Sequence, residues 1–585
     1  MLLDVIVYLL QHSLQTLFTL LVTFGLYFFV LYPFVFSPLR DIPGPYIHRL
    51  SKIPALHYQR VGKWIRRVSD LHEKYGDVVI LSPTEISVNG DSKYINDIYI
   101  KNFPKSPFYE NFRNHGFKDN IFSSLENDRH LGYKKLVMSL YSKSAVFSHK
   151  NPTRQNIVNK VRLVVDNIYQ SSVTGNQPDY INAKGEENIH SKGFNLQDGG
   201  KWFNPSSKTK NLGIDVYPLF ASLAMDVVSA FELGVENGSN LLKHPEQRGI
   251  VATHALQALM GFWTTLMPRF WNWAASSRIK QASVVIEEWQ LAMYDVAEAN
   301  VPSFCEGQNM TTLEQLKKNG LTGKNAYSFL SDNIFAGHET TAIQLAFLTF
   351  ELLRPCNFKV QRKLIEELQK TFGKPKGPQD YIEDLETVDS LPYLDLIMLE
   401  NSRVHTSIPG AEPRIVDRPY YVNVYNKDSK TSKQVGIPVG TTISCLPYGM
   451  HRVESVFPNS EHWIPERWMP YEHETPLEYN SRITTQQKYM MPFGKGIRMC
   501  LGMNVAQIEM KMAIANIYWH CNSKLCEDWC EITSKENDPV LSTSPVPIGN
   551  SAPKNKTDIE KMTMYDLYTT RPLNDECWLE WYENE

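Results

Sequence analysis

One cysteine at the end of a glycine-rich loop is the residue in this sequence best placed for chemistry. The loop reads Met-Pro-Phe-Gly-Lys-Gly-Ile-Arg-Met-Cys-Leu-Gly over residues 491–502, and an apolar run that predicts a helix follows it. Gly494 and Gly496 can adopt positive φ and so fold the backbone tightly around the sulfur. Backbone N–H groups and the start of the helix then favour the thiolate form of Cys500. These features predict a thiolate metal ligand, and a structural cysteine buried in a turn is the alternative.

Three more residue types in the loop suit a flat cofactor that carries carboxylates. Arg498 is a permanent cation, Phe493 can shield the sulfur from water, and Gly502 lets a planar group lie close to the backbone. The pattern Phe-x-x-Gly-x-Arg-x-Cys-x-Gly resembles the haem-ligand loop of the cytochrome P-450 family. This resemblance implies haem b as the cofactor, with Cys500 as the axial ligand of its iron and Arg498 paired with a propionate. It also implies that Phe493, Gly494 and Gly502 contact the haem.

A second motif lies in the middle of the longest predicted soluble helix, residues 323–354. It reads Ala-Gly-His-Glu-Thr-Thr over residues 336–341. A glycine inside a helix costs about 1 kcal/mol relative to alanine, and threonine hydroxyls can bond carbonyls one turn back, so the motif predicts a local opening of the helix. It resembles the oxygen-activation motif of the same family, which implies that Glu339 and Thr340 supply protons for O2 cleavage. For His338 a packed or solvent-facing side chain is the preferred interpretation, and a role in proton transfer is the alternative.

A third set of charged residues predicts a structural role. Glu400 and Arg403 are three residues apart on one face of a helix predicted over residues 391–404. Arg467 lies in the sequence Pro-Glu-Arg-Trp at residues 465–468. Both motifs resemble motifs of the cytochrome P-450 family, and the resemblance implies a buried ionic triad of Glu400, Arg403 and Arg467. The tryptophan form of the second motif is typical of the fungal branch of the family.

Further cations match positions at which family members hold the haem propionates. Arg414 matches one such position. His130 and Lys134 are four residues apart on one helical face, where the family usually has a tryptophan and an arginine. The resemblance predicts propionate contacts for these three residues, and solvated surface charge is the alternative. The stretch 404–411 matches a substrate-contacting segment, but it has Thr406 and Ser407 in place of the usual two prolines.

Residues 14–36 form an uncharged apolar run that predicts how the chain is placed relative to a membrane. As a helix of about 1.5 Å per residue it is long enough to cross a bilayer. Lysines and arginines are concentrated on its C-terminal side, so we predict a single-pass anchor with the rest of the chain in the cytosol. A buried core helix is the alternative. Residues 38–45, rich in proline, resemble the hinge of microsomal family members, which implies the endoplasmic reticulum membrane.

Composition excludes some other classes of protein. The 585 residues carry 60 basic and 63 acidic side chains, so no basic excess points to nucleic acid. Eight cysteines without framework spacing favour a reducing compartment. Cys521, Cys526 and Cys530 match no zinc-binding pattern.

The predicted organisation is a membrane anchor (residues 1–37), the hinge, a catalytic domain (46–545) and a C-terminal extension (546–585). Residues 170–212 are polar and predict a disordered or mobile insertion. Residues 251–300 are rich in aromatic side chains, which fits a substrate lid or core packing equally well. Further elements that periodicity predicts are helices over 61–75, 130–141, 215–233 and 503–519, and strands over 78–81, 85–88, 414–416, 420–425 and 441–446, with an irregular cap from residue 521.

The resemblance therefore implies the cytochrome P-450 fold, mainly α with a minor β region, and a monooxygenase that inserts one oxygen atom from O2 into an apolar small molecule. The chain has no flavin or nicotinamide fingerprint, so the electrons must come from NADPH through a partner, NADPH-cytochrome P-450 reductase. A haem-thiolate isomerase or dehydratase is one alternative, although it would not need Glu339 and Thr340. A non-catalytic haem-binding membrane protein is the other.

Overall fold

Helices form most of this computed structural model, which describes residues 2–169, 203–205, 212–244, 247–257, 273, 275–300, 311–426, 431–526, 529–532, 543–550 and 556–585. In the first half of the chain they are α1 (Leu2–Leu26), α2 (Tyr46–Leu50), α3 (Ile53–Arg60), α4 (Trp64–Tyr75), α5 (Ser92–Ile95), α6 (Asn127–Val137), α7 (Lys143–Val146), α8 (Pro152–Ile168), α9 (Val216–Leu233) and α10 (Gly249–Gln257).

The second half of the chain is also mainly helical. Its helices are α11 (Ser277–Asn300), α12 (Thr312–Lys318), α13 (Gly323–Leu353), α14 (Phe358–Phe372), α15 (Leu385–Asp389), α16 (Pro392–Val404), α17 (Pro447–Met450), α18 (Pro476–Tyr489), α19 (Met503–His520) and α20 (Asp558–Lys561). The predicted long helices over 215–233, 323–354, 391–404 and 503–519 thus match α9, α13, α16 and α19 to within one residue at either end.

Small sheets complete the fold. The strands are β1 (Val78–Ser82), β2 (Glu85–Val88), β3 (Phe203–Pro205), β4 (Leu212–Asp215), β5 (Arg414–Ile415), β6 (Tyr420–Asn426), β7 (Thr431–Ile437), β8 (Thr442–Cys445), β9 (Cys521–Leu525), β10 (Ile548–Gly549), β11 (Met564–Tyr565) and β12 (Trp578–Glu583). One sheet has the order β1-β2-β8-β5, with only the β2–β8 pair parallel, and a second has the order β3-β4-β12-β9. β6 and β7 form a hairpin, and β10 pairs with β11.

The central helix α13 lies against α9 in the middle of the larger core. α13 runs from Gly323 to Leu353 and stops before Pro355, which cannot continue the helix. Gly337 is needed where the two helices approach, because a Cβ at this position would lie 2.6 Å from a methyl carbon of Val228. The glycine that weakens the helix locally therefore also allows its closest packing.

Two of the described helices are long and apolar enough to cross a membrane. Val216–Leu233 is almost wholly buried in the core. His12–Phe36 comprises the C-terminal part of α1 and the π-helical segment that follows it. Its apolar side chains are exposed, as those of a membrane-spanning helix are. The segment after it is docked on the first sheet, since Leu39 and Ile42 are buried and the N–H of Ile80 donates to Pro43.

The structure corrects the prediction for the end of the chain. The sequence predicts an irregular cap from residue 521, but residues 521–525 form β9, which pairs with β12, and β12 also pairs with β4. The carboxylate of Asp566 also accepts hydrogen bonds from the first two amides after Trp64, at 3.1 and 3.2 Å, and so caps α4. Periodicity does not predict this arrangement, because it describes neighbouring residues only, and the partners of β12 and Asp566 lie far away in the sequence.

Most of the predicted insertion, residues 170–202 and 206–211, lies outside the described residues. Residues 203–205 and 212 form parts of β3 and β4, so this part of the segment is ordered in the second sheet, contrary to the expectation of disorder. Residues 258–272 of the aromatic region also lie outside the described residues. On either side of them, α10 and α11 are helical, and Trp273 is exposed.

Candidate active site

The cysteine loop has the tight fold that its glycines predict. Gly494 has φ +68° and Gly496 has φ +69°, and the N–H of Cys500 donates to the carbonyl of Phe493 at 2.8 Å. A Cβ at Gly496 would lie 2.3 Å from the carbonyl oxygen of Tyr99, so only glycine fits there. The loop therefore closes on itself and packs against the backbone of Tyr99 and Ile100.

Two cationic side chains tie the loop to the segment around α6. The Arg498 guanidinium donates to the carbonyls of Ser124 (2.6 Å) and Leu125 (2.9 Å) and to the side-chain oxygen of Asn127 (3.0 Å). The Lys134 ammonium donates to the carbonyl of Ile497 at 2.8 Å. Arg498 and Lys134, the two residues predicted to contact propionates, therefore hold the loop in place in this structure.

The groups around Cys500 shift the pKa of its thiol in opposite directions. Cys500 is exposed, and desolvation by the protein atoms around it raises the pKa of its thiol. The amides of Gly502 and Met503 and the charge of Lys134 lower the same pKa. An iron ion that binds the sulfur deprotonates it outright, so these groups would then stabilise the bound thiolate.

Beside the loop lie two buried cations, Lys105 and Arg414, and the partly buried Arg498. The sequence predicts a role there for Arg414 and Arg498 but not for Lys105. Burial, followed by repulsion from Arg414, lowers the pKa of Arg498 to about 9. Burial and repulsion from Arg414 and Arg498 also lower the pKa of Lys105. Burial and the same cations lower the pKa of His130 to about 2, so its ring is neutral and not the predicted cation. Glu412 is the nearest acid to Arg414, at 3.8 Å.

Several of these polar atoms are buried without a partner among the described residues. They are Nε and Nη1 of Arg414 and Nδ1 of His130. A Cβ at Gly502 would meet none of the described atoms within 4 Å, so there is open space beside the loop backbone. Unpaired buried donors next to an accessible cysteine and an open glycine fit the propionates and the ring of a haem.

The central helix carries Thr340 at its surface and His338 in its interior. The Thr340 hydroxyl donates to the carbonyl of Ala336 at 2.6 Å, one turn back, as predicted, but α13 is continuous through residues 336–341 and does not show the predicted local opening. Its carbonyl accepts a bond from the Ser407 hydroxyl at 2.9 Å, which joins the stretch 404–411 to this turn. His338 is buried, bonds the carbonyl of Ile334 at 3.0 Å and has a pKa lowered to about 4 by burial, so it is a neutral packed histidine.

Glu339 is buried and contacts the C-terminal segment. Its Oε2 accepts a hydrogen bond from the Thr569 hydroxyl at 2.8 Å, and its Oε1 lies 3.6 Å from Nη1 of Arg571. Burial raises the pKa of the carboxyl, while Arg571 and Thr569 lower it. Sequence reasoning missed Thr569 and Arg571, because no local signal marks residues that are 230 positions away from their partner.

The predicted triad residues lie together in the core. Glu400 accepts hydrogen bonds from Arg403 (Nε 2.9 Å, Nη2 2.8 Å) and from Nε of Arg467 (2.9 Å). Nε1 of Trp468 and the amide of Ile464 donate to the same carboxylate, at 2.9 and 2.8 Å. All three charged side chains are at most 3% exposed, so the whole group is removed from water.

A histidine that the sequence did not single out connects this group to the cysteine loop. His451 is fully buried, and its Nδ1 lies 3.2 Å from the carbonyl of Arg403. Its Nε2 accepts a hydrogen bond from the amide of Met491, the first residue of the loop, at 2.9 Å. Burial and nearby arginines lower its pKa to about 3, so the ring is neutral and can accept this bond.

Comparison with known proteins agrees with this geometry. The family model described as Cytochrome P450 matches residues 199–549, more than half of the chain. Cytochrome P450 monooxygenase BOT1 of Botryotinia fuckeliana is 26% identical over 520 residues, which is 85% of this chain and 88% of that protein.

Other fungal proteins show a similar likeness. Cytochrome P450 monooxygenase orf2 of Aspergillus niger is 24% identical over 493 residues, covering 83% of this chain and 86% of its own length. Cytochrome P450 monooxygenase pbrB of Penicillium brasilianum is 25% identical over 522 residues, covering 85% and 88%.

Proposed function

The chain belongs to the cytochrome P450 family, and we propose that it is a membrane-anchored monooxygenase that inserts one oxygen atom from O2 into an apolar organic substrate. The observation that carries this proposal is the unpaired buried donors of Arg414 and His130 beside the Cys500 loop. An accessible thiolate ligand next to donors for carboxylates suits haem b. Similarity over 83–85% of the chain to fungal proteins named as monooxygenases supports the reaction class.

Haem b supplies the redox chemistry of O2 when it is bound. Cys500 would ligate its iron, and Phe493, Gly494 and Gly502 would contact the haem from the loop. Arg414, Arg498 and His130 would hold the propionates, together with Lys134. Lys105 joins this set because it is buried and repelled by Arg414 and Arg498, so a carboxylate nearby stabilises it.

Glu339 and Thr340 provide protons on the substrate side. Their adjacent positions on α13 support this role, with a buried carboxyl whose pKa is raised beside a hydroxyl at the helix surface. The role of Glu400, Arg403 and Arg467 is structural. Nη1 of Arg403 donates to the carbonyl of His451, whose ring accepts a hydrogen bond from the amide of Met491 at the start of the loop.

An aromatic wall of Phe108, Phe112, Phe122 and Tyr568 supports an apolar substrate. Phe112 lies 4.9 Å from Phe122 and 5.3 Å from Tyr568 between ring centroids, and each ring is only partly buried. Tyr568 precedes Thr569, which bonds Glu339, and Lys105 lies over the ring of Phe122 at 3.8 Å. The wall thus runs from the proton donor to the cation cluster, on the side where a substrate would bind.

Electrons come from NADPH through NADPH-cytochrome P450 reductase. The exposed apolar helix His12–Phe36 supports an anchor in the endoplasmic reticulum membrane, with the catalytic domain in the cytosol. This arrangement keeps the chain on the same surface as a membrane-bound reductase.

The test compares metabolites of cells that express the reductase with the full-length chain, with its Cys500→Ser variant, or alone, under ¹⁸O2. We expect a product that has gained one labelled oxygen atom with the wild type only. The reduced wild type should also show the carbon monoxide spectrum of a thiolate ligand, and Cys500→Ser should lose it. If that spectrum survives in the variant, the ligand assignment is wrong.

Thr340→Ala tests the proton role, with Thr349→Ala as its matched control. Thr349 makes the same type of bond, from its hydroxyl to the carbonyl of Leu345 at 2.9 Å, further along the same helix. Only Thr340→Ala should lower the product and raise the release of hydrogen peroxide. A product of unchanged mass, or one short of a water, that forms without the reductase would indicate an isomerase or dehydratase.

A further inference from the structure

The two oxygens of Glu339 are both engaged by residues of the C-terminal segment. The Thr569 hydroxyl donates to Oε2 at 2.8 Å, and Nη1 of Arg571 lies 3.6 Å from Oε1. All three residues are about 5% exposed, so water does not compete with these contacts. The Thr340 hydroxyl is bonded within its own helix at 2.6 Å, which leaves the C-terminal segment as the partner of the acid.

The segment is fixed on both sides of these contacts. Before them, Asp566 caps α4 through two backbone amides, at 3.1 and 3.2 Å. Between them, the amide of Thr570 donates to the carbonyl of Ser407 at 2.9 Å. After them, β12 pairs with β9 and β4 in the second sheet. Thr569 and Arg571 are therefore presented to Glu339 by a rigid frame.

Arg571 is shared among three acceptors. Its Nε lies 2.6 Å from Asp575, and its Nη1 donates to the carbonyl of Ala255 on α10 at 3.2 Å as well as facing Glu339. Tyr217 on α9 also faces this group. One guanidinium faces two carboxylates, of which Glu339 is buried and Asp575 is 40% exposed, so a proton is readily retained there. Desolvation raises the pKa of Asp575 to about 6 and also raises that of Glu339.

We infer that Thr569 and Arg571 are positioning residues, which hold the Glu339 carboxyl in the geometry from which it supplies protons for O–O cleavage. This inference rests on the proposed function. In a productive cycle NADPH, a proton, O2 and substrate give the hydroxylated product, water and NADP⁺. If protons arrive in the wrong place, NADPH, a proton and O2 give hydrogen peroxide and NADP⁺, and the substrate is unchanged.

The test uses Thr569→Val, which keeps the side-chain shape and removes the hydroxyl. Thr563→Val is the matched control, because Thr563 lies in the same segment, is equally buried and bonds the carbonyl of Glu560 at 2.7 Å, away from Glu339. Each variant is co-expressed with the reductase, and hydrogen peroxide per NADPH is measured together with the product found in the cell comparison. We expect several-fold more peroxide for Thr569→Val, recovery in Thr569→Ser, and no change for Thr563→Val.

A second measurement does not depend on turnover. A double-mutant cycle combines Thr569→Val with Glu339→Gln and follows the urea midpoint of the full chain in detergent. The two changes should be non-additive, while Thr563→Val and Glu339→Gln should be additive. If Thr569→Val lacks the thiolate spectrum, Arg571→Lys replaces it in both measurements.

The outcomes separate the inference from the function on which it rests. A wild type without the thiolate spectrum or an oxygenated product would overturn the proposed function. A wild type that has both, with Thr569→Val matching Thr563→Val in peroxide release or additive with Glu339→Gln, would overturn the inference alone.

Discussion

Glu400→Gln is the substitution for which the structure predicts the largest loss of stability. The carboxylate accepts five hydrogen bonds, three of them from two arginines that are at most 3% exposed. Glutamine has nearly the same volume but no charge, and its amide nitrogen would face donors. Breaking a buried ion pair by removing one partner costs about 3–5 kcal/mol, which is a large share of the about 5–15 kcal/mol that stabilises a domain.

Glu466→Gln is the matched control, in the motif that contains Arg467. Glu466 pairs with Lys363 at 2.8 Å, but the two side chains are 34% and 49% exposed. Solvent screens such a pair, so the change should cost less than about 1 kcal/mol. The same substitution at these two positions thus separates a buried from a partly exposed carboxylate.

The assay is urea unfolding of the full-length chain in detergent, followed by tryptophan fluorescence and by the thiolate carbon monoxide spectrum of the reduced protein. At unchanged slope, the shift of the midpoint measures the lost free energy. Glu400→Gln should lower the midpoint clearly in both signals. If it shifts the midpoint no more than Glu466→Gln does, the carboxylate does not hold the two arginines in the folded state and the reasoning fails.

Three further predictions follow from single contacts. His451→Phe keeps a ring but leaves the amide of Met491 without its acceptor, so it should cost about 1–3 kcal/mol in urea unfolding and lower the fraction with a thiolate spectrum. Burial raises the pKa of Glu232 to about 7; its protonated form therefore stabilises the fold fully below about pH 4.5, and this contribution is lost as pH rises through 7. Glu232→Gln should thus become more stable relative to wild type by up to about 1.4 kcal/mol per pH unit over that window, and a pH-independent difference would contradict the reasoning. Gly496→Ala should destabilise the loop much more than Gly494→Ala, because both have positive φ but only the first Cβ meets a backbone oxygen at 2.3 Å.

The sequence predicts those parts of the fold and site that depend on local pattern. The bounds of α9, α13, α16 and α19 follow from continuous apolar periodicity with a glycine or proline nearby. The positive φ of Gly494 and Gly496 agrees with the prediction that these two glycines can fold the loop tightly. The spacing of Glu400 and Arg403 places both on one helical face, and the structure brings them within 2.8 Å.

Contacts between distant parts of the chain were not predictable in this way. Asp566 caps α4 by accepting from an amide 501 residues earlier, and Thr569 bonds an acid 230 residues earlier. Lys105 lies between prolines in a segment without periodicity, so nothing local marks it as buried. Hydrogen-bond partners at such separations are selected by tertiary packing, which a pattern of neighbouring residues does not record.

Buried charges in this protein divide according to what pairs with them. Arg403 and Arg467 are enclosed by a carboxylate and backbone carbonyls of the same chain, and such a closed set stabilises the fold. Arg414 is buried to the same degree, but two of its nitrogens have no partner among the described residues, and its nearest carboxylate is 3.8 Å away. A buried arginine left in that state is costly unless a ligand supplies the acceptor. The difference between these arginines therefore separates the structural triad from the side of the site that fits a carboxylate of the cofactor.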